Sequence, residues 1–429
     1  MPYIPDPWAP GDEVTSPKLI KMGNGIAAAQ AAAEAAQAAV DNLTAIVNAI
    51  GTGGGGGGGG STVSSTAGAV SLWSFAGATP DAKLTNALSY AAAQTVTTPP
   101  ILISPDPGAG SGSVSFSTTR TLFNGCKLVY PYGFGNQQRG AESIPCDVRF
   151  TGSGSWWVLP AGNTYDVEFG GLGIQGNSGS TFIDNPNGGV LWTSKLHDLG
   201  FNLWKHVLGS LSNKLLITAC LFNGWWNINN SYNTAVHIGG SDSQLFLDGM
   251  LIDSPTTIMG TSNPGSYHMW LDYLEKSEVG GIYMTAEKVS GIRISGGSTT
   301  SGLVLNGQGR DEGRNVSQPC WGANMLIEGG VNTIRDWWIA YGLSNPGGTG
   351  HSNESGVITV TGGDTYFDGV HYDTASGVAL TVPWISCRGG KVRVRNARTG
   401  SKGGAWGASK PIVKADGGTI DVDSSCTAA

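Results

Sequence analysis

The sequence predicts a mainly β chain whose short strands stack as a parallel solenoid, and three observations carry that prediction. First, 68 of the 429 residues are glycine and only 13% are charged, against about 7% and about 25% in ordinary domains. Such a composition suits short strands joined by frequent tight turns. Second, one phrase keeps returning: SKLHDLGFN (194–202), KLLITACLFN (214–223), SQLFLDGMLID (243–253), NTIRDWWIAY (332–341) and DTYFDGVHYD (364–373). Each reads as a strand, a kink marked by Gly or Asp, and another strand. Third, a unit of this size cannot bury its apolar face alone and must stack on its neighbours. Aligning the first two phrases at Phe201-Asn202 and Phe222-Asn223 predicts Phe on Phe inside and Asn on Asn at the corner. A β-sandwich also has many short strands, but the run of rung-like phrases favours the solenoid.

The elements follow in chain order. Residues 26–50, IAAAQAAAEAAQAAVDNLTAIVNAI, are rich in alanine, the best helix former. Read in sevens, Ile26, Ala33, Val40 and Val47 make one seam position and Ala29, Ala36, Leu43 and Ile50 the other. Such a helix, about 37 Å long, gains an apolar seam beside copies of itself. A lone spacer helix is the alternative. Residues 51–70 form a linker whose eight glycines, Gly53–Gly60, bury no side chain. Flexible glycine chains permit a mismatch of angle between a narrow bundle and a wide body. Residues 71–95 open with a strand and continue into a short helix, with Thr79 as cap, Pro80 at its first position and Asp81 near its positive end. Leu84, Leu88 and Ala91 share one face of that helix, suited to cover an open end. Residues 96–429 are the stacked body.

Two resemblances rest on the N-terminal hundred residues. Trp8, Gly11, Asp12, Val14, Thr15, Lys18, Leu19, Gly25 and Ile26 resemble the attachment segment (here 1–25) of minor tail proteins from siphophages of actinobacteria. Phe75, Gly77, Ala78, Asp81 and the helix after them are similar to the entry of the pectate-lyase-like right-handed β-helix family, although its usual Gly-Asp-Gly and paired aspartates are missing here. The resemblance implies a homotrimer joined by an N-terminal coiled coil, bound through its N-terminus to other tail-tip proteins. It would be carried on the virion and made in the host cytoplasm.

Composition and motifs exclude several classes. The net charge of −7 disfavours a nucleic-acid partner, which needs clustered Lys and Arg. The basic stretch Lys391, Arg393, Arg395 reads as the watered face of one strand. The N-terminal MPYIPDPWAPGDE lacks the basic and apolar regions of a signal peptide, which disfavours a secreted adhesin, and no stretch predicts membrane insertion. Six scattered cysteines, with no CxxC pair, predict isolated buried thiols and no metal site. Gly171, Gly173 and Gly176 spell GxGxxG, but Asn177–Ser180 reads as a turn where a dinucleotide site needs a helix. No cofactor is expected.

Glycan cleavage would need two carboxyls across the sugar bond. Same-parity pairs on a strand are Asp364 with Asp368 and Asp242 with Asp248. Glu275 with Glu278 and Asp311 with Glu312 are weaker. The competing reading has these residues marking corners, where Asp satisfies local backbone donors. Neighbours on a strand point to opposite faces. One indole of each pair Trp156-Trp157, Trp225-Trp226 and Trp337-Trp338 is therefore expected outside, and Trp157, Trp226 and Trp338 are the candidates for carbohydrate contact. The expectation is a structural virion protein, a trimeric tail fibre presenting a surface to a host-envelope glycan, without enzymatic activity. The alternative is a tailspike depolymerase that cleaves that glycan with paired carboxylates.

Overall fold

At the described corners between the first face and the next, a single residue of positive φ turns one strand into the next strand of the coil. In the computed structural model these corner residues include Gly171 (69°), Asp198 (52°), Gly249 (87°), Gly281 (59°), Asp336 (49°), Gly369 (73°) and Asn396 (50°). Glycine enters that region freely, and Asn and Asp more readily than other residues. The Gly-or-Asp kink of the repeated phrase is this corner. The ladder continues through it: Asp336 N–H donates to the Asp368 carbonyl at 2.9 Å and Gly369 N–H to that of Arg395 at 3.1 Å. After six of these corners the next residue points inward: Leu172, Leu199, Ile282, Trp337, Val370 and Ala397 are buried.

The structure describes residues 69–94, 98–103, 114–129, 148–223, 226–229, 233–240, 244–254, 267–286, 290–296, 302–306, 323, 325–340, 355–374, 383–401, 413–424 and 426–428. The seam Ile26, Ala29, Ala33, Ala36, Val40, Leu43, Val47, Ile50, the glycine run, Trp225, Asp242, Asp311 and Glu312 lie outside them.

Among the described residues the strands form sheets of 13, 7, 14 and 4, and their pairings are parallel. The chain visits three faces in turn. Lys195–His197 lies in the first sheet, Gly200–Asn202 in the second and His206–Leu208 in the third, and Cys220–Asn223 is back in the first. That path is the winding of a parallel β-helix. In the last coils the four-stranded sheet, beginning with Trp338–Ala340, takes the second sheet's place in the chain order.

The first sheet supplies an inward ladder in which Leu128, Phe169, Leu196, Phe222, Leu247, Val279, Leu305, Ile334, Phe367 and Val394 follow one another coil by coil. None is more than 2% exposed. This corrects the expected alignment of repeats. Phe201 belongs to the second sheet and faces Ile174 and Ile228, whereas Phe222 belongs to the first and faces Leu196 and Leu247. The 21-residue match joined strands of different faces, because both faces use the same apolar-then-Asn pattern. Asn223 is stacked on His197.

The helix α1 (Pro80–Ala92) starts as expected: Thr79 Oγ1 accepts from Ala82 N–H at 3.2 Å, and Leu84, Ala87, Leu88 and Ala91 are buried. They join the same core cluster as the first coils. Cys126, Cys220 and Cys387 are buried free thiols, and burial pushes that of Cys220 up to about 11. Lys391–Arg395 alternates exposed and buried residues, with its cations outside. No helix among the described residues is long and apolar enough to cross a membrane.

Candidate active site

The outward face of the third sheet gathers polar and aromatic side chains into two adjoining rows. On the strands Val236–Gly239, Tyr267–Asp272 and Ser290–Ser295, the inward positions are Val236 and Ile238, Met269 and Leu271, Ile292 and Ile294, all buried. Alternation turns His237, Trp270 and Arg293 outward, and the register places them on successive coils. They stack. The His237 and Trp270 rings are 4.1 Å apart and 9° from parallel, and the Arg293 guanidinium lies 4.0 Å from the Trp270 ring centre. Such contacts between a cation and an indole face add to packing. With a neighbour on each of these coils, Trp270 is a buttress and leaves little face for a sugar.

Two residues along, Asp272 pairs in register with Ser295. Continuing the Ile294–Ile327 pairing by one residue brings Glu328 beside Ser295. Asp272 and Glu328 are thus two coils apart, about 9.6 Å between backbones at about 4.8 Å per coil. Ser295 Oγ donates to Asp272 Oδ1 at 2.9 Å and accepts from Trp270 Nε1–H, which fixes the carboxylate's orientation. Lys214, from the turn before Leu215–Thr218, donates to Asp272 Oδ2 at 2.7 Å. Arg293 grips Glu328 through Nε (2.7 Å) and Nη2 (3.2 Å). Burial of Asp272 favours its neutral acid, but the hydrogen bonds from Lys214 and Ser295 and the charge of Lys214 outweigh burial and hold the carboxyl below its ordinary 3.8. His237 Nδ1 lies 2.6 Å from the Ser210 carbonyl and so carries its proton there, while Nε2 faces Asp272 Oδ2 at 3.9 Å, beyond hydrogen-bond reach. A carboxylate kept ionised in this way can act as a base, a nucleophile or an electrostatic stabiliser, and not as an acid.

The residues expected from sequence lie elsewhere. Asp364 and Asp368 share an outward strand face, but four residues of strand separate them by about 13 Å, more than the roughly 5–9.5 Å a glycosidase pair spans. Each is also held by the next coil, Asp364 by Arg393 at 2.7 Å and Asp368 by Asn396 at 2.8 Å. Asp248 stands at the corner before Gly249. Glu278 is on the outer face of the first sheet, and Glu275 is in the turn before that strand. Trp157 and Trp226 are buried, which corrects their assignment to carbohydrate contact. Trp156 lies between Phe116 and Phe150, and Trp157 is 5.3 Å from Phe169, so both indoles fill the interior. Trp226 shares inward parity with Ile228. Parity is set by the corner that precedes each strand, and the indole pairs do not reveal it. For Trp338 only its place on Trp338–Ala340 is described.

The site missed by sequence reasoning left one local signal. In Tyr267–Asp272, apolar Met269 and Leu271 alternate with Trp270 and Asp272, and in Ser290–Ser295 apolar Ile292 and Ile294 alternate with Arg293 and Ser295. A second titratable group stands on the first sheet, where His197 Nε2 is 3.2 Å from Glu168 and Nδ1 is 2.9 Å from Asp198. Among the described residues no three His, Cys, Asp or Glu side chains are grouped to hold a metal.

No protein-family model matches the chain, and no curated protein matches it either. Solved structures do. The chain is similar to the DFA-IIIase of Arthrobacter chlorophenolicus A6, without its lid and in complex with GF2, at a TM-score of 0.54 and 12% identity, covering 84% of this chain and 95% of that one. The same enzyme in complex with DFA-III matches at a TM-score of 0.50 and 11% identity, covering 83% and 94%. At such identity the likeness is one of fold. It corrects the expectation of a purely structural, non-enzymatic virion protein as far as fold reaches, because the two solved chains just described, which share this winding, are those of an enzyme.

Proposed function

We propose that this protein is a polysaccharide-processing enzyme that cleaves glycan chains on the outer surface of its β-helix. The observation that carries the reading is the Asp272–Ser295–Glu328 row, which offers two half-buried carboxyls on one outward face. Their backbone separation of about 9.6 Å is close to the range in which one carboxyl activates water and the other faces the leaving oxygen. Asp272, held ionised, takes the water-activating role, and Ser295 and Lys214 orient it. Water attacks the anomeric carbon and passes its proton to Asp272 as the glycosidic C–O bond breaks, and Glu328, as the neutral acid once released from Arg293, gives its proton to the departing oxygen. The fold likeness to an enzyme solved with GF2 and with DFA-III supports the same reading.

The substrate we assign is a cell-envelope polysaccharide. The N-terminal likeness to tail-attachment segments supports a depolymerase carried on a virion tail, joined to other tail proteins through residues 1–25 and trimeric through the seam at 26–50. We take the coil as right-handed, the hand of about 98% of parallel crossovers. The test is an assay for new reducing ends on actinobacterial cell-wall polysaccharide. The wild type should release them, and Asp272→Asn and Glu328→Gln should each lower the rate by about 10²–10⁴-fold while remaining folded at the assay temperature. A wild-type protein that releases none, or an Asp272→Asn variant as fast as wild type, would refute the assignment.

A further inference from the structure

The second sheet carries a different feature, several coils nearer the N-terminus. An open groove of about 400 Å³ lies over the strands Val148–Phe150 and Gly173–Gln175 and the turns that follow them. That volume falls within the usual range of ligand sites, about 300–1,000 Å³. Its floor is backbone. Gly176 crosses the ring of Trp204 so closely that a Cβ would stand 2.4 Å from it, and a Cβ on Gly152 would stand 2.2 Å from the Ser117 carbonyl. Trp204 is buried, stacked 7° from parallel on Phe150, and donates from Nε1 to the Ile174 carbonyl at 3.2 Å. The floor is therefore held by the core and is formed before any ligand arrives, which lowers the ordering cost of binding.

Two side chains on adjacent coils line this floor with nothing engaged. Arg149 and Gln175 pair in register, and neither the guanidinium nor the amide has a partner among the described residues. In contrast, Asn177 beside them is used up by the fold: its Nδ2 donates to the Gly152 carbonyl at 2.9 Å and its Oδ1 accepts from Gly179 N–H at 3.0 Å. A guanidinium with no partner among the described residues, in a chain of net charge −7, is a fork of donors suited to a carboxylate, and an amide in the same state can both donate to and accept from a hydroxyl. The row continues along the axis, with Asn202, Asn229, Asp253 and Thr285 at the same register position on the next coils. Polar positions repeated about every 4.8 Å suit an extended polymer better than a compact anion.

We infer that this groove binds a carboxylate-bearing sugar unit of a glycan, with Arg149 gripping the carboxylate and Gln175 a neighbouring hydroxyl. This deepens the enzymatic reading and rests on it for the polymer, naming an acidic polysaccharide as the class recognised. The GxGxxG stretch acquires a role here: Gly171 turns the corner and Gly176 lets the backbone lie on Trp204.

Calorimetric titration of the full chain tests the inference with three probes. These are an oligosaccharide of alternating glucuronate and N-acetylglucosamine, its carboxyl-reduced counterpart, and inorganic phosphate. The carboxylated oligomer should bind, the reduced one at least about 10-fold more weakly. Arg149→Ala should lose about 10–100-fold, as expected for hydrogen bonds to a charged group, while Arg149→Lys retains part of the affinity and both unfold at the wild-type temperature. No binding, equal binding of the two oligomers, wild-type affinity in Arg149→Ala, or displacement by phosphate at matching concentration overturns it. The outcomes separate from those at Asp272. Reducing ends that depend on Asp272 but binding indifferent to Arg149 remove this inference alone. Binding that needs Arg149 without any cleavage removes the hydrolytic reading and leaves the groove.

Discussion

His197 lies flat on the backbone of Gly170, where a Cβ would stand 2.3 Å from its Nε2. The contact exists because the two residues pair in register on successive coils, and only glycine leaves room. The hydrogen bond to Glu168 raises the pKa of His197 from its ordinary 6.5, against the effect of burial, and the same bond lowers that of Glu168 from 4.5. The two shifts act on stability in opposite directions of pH. A raised histidine stabilises fully below about 6.5 and loses that contribution as pH climbs through its folded value. A depressed glutamate stabilises above about 4.5 and loses its share as pH falls through its folded value. The pair is therefore strongest between those limits. Urea midpoints followed from pH 5 to 9 should fall more steeply above pH 6.5 in the wild type than in His197→Gln, and parallel curves would show that the pair contributes nothing. That a strand lies at 195–197 and a kink at Asp198 was readable from the repeated phrase. That His197 would meet Glu168, 29 residues earlier, was not, since register alone joins them.

At the scale of the element, α1 shows how a local signal and a distant contact combine. Thr79, Pro80 and Asp81 announce the helix start in order, and each takes the expected place. Asp81 does more than favour the helix dipole. Its carboxylate accepts from Ser117 N–H and Oγ–H, both at 2.8 Å, and from Arg120 Nη2–H at 3.0 Å, binding the helix to the first coils. Those bonds outweigh burial and lower its pKa. Removing the cap with Thr79→Ala should cost about 1 kcal/mol. Arg120→Ala breaks a largely buried ion pair, 6% exposed on the arginine side, and should cost about 3–5 kcal/mol. Equal losses in chemical denaturation would show that the dipole, rather than the link to the coils, is what Asp81 serves.

For the whole molecule the inward ladder of the first sheet is the organising fact. Each coil touches chiefly the coil before and after, so damage should stay local. Phe222→Ala removes a fully buried ring between Leu196 and Leu247 and should cost about 3–5 kcal/mol. Amide exchange should quicken in Lys195–His197 and Leu245–Asp248 while Lys391–Arg395 keeps its protection. A uniform rise along the chain would mean that the coils unfold as one cooperative body.

The kind of architecture was legible in the chain itself, through glycine content, sparse charge and a strand-kink-strand phrase, because these follow from local backbone preference. The left-handed corners and the start of α1 were legible for the same reason. Which residues meet across coils was decided only by the tertiary structure. Trp270 and Arg293 are 23 residues apart and His237 and Trp270 are 33 apart, yet both pairs touch. Coils of unequal length erase any fixed spacing, and inward or outward parity restarts at every corner. The paired carboxyls were therefore sought along one strand, where four residues of rise hold them apart, whereas stacking sets Asp272 and Glu328 two coils from each other.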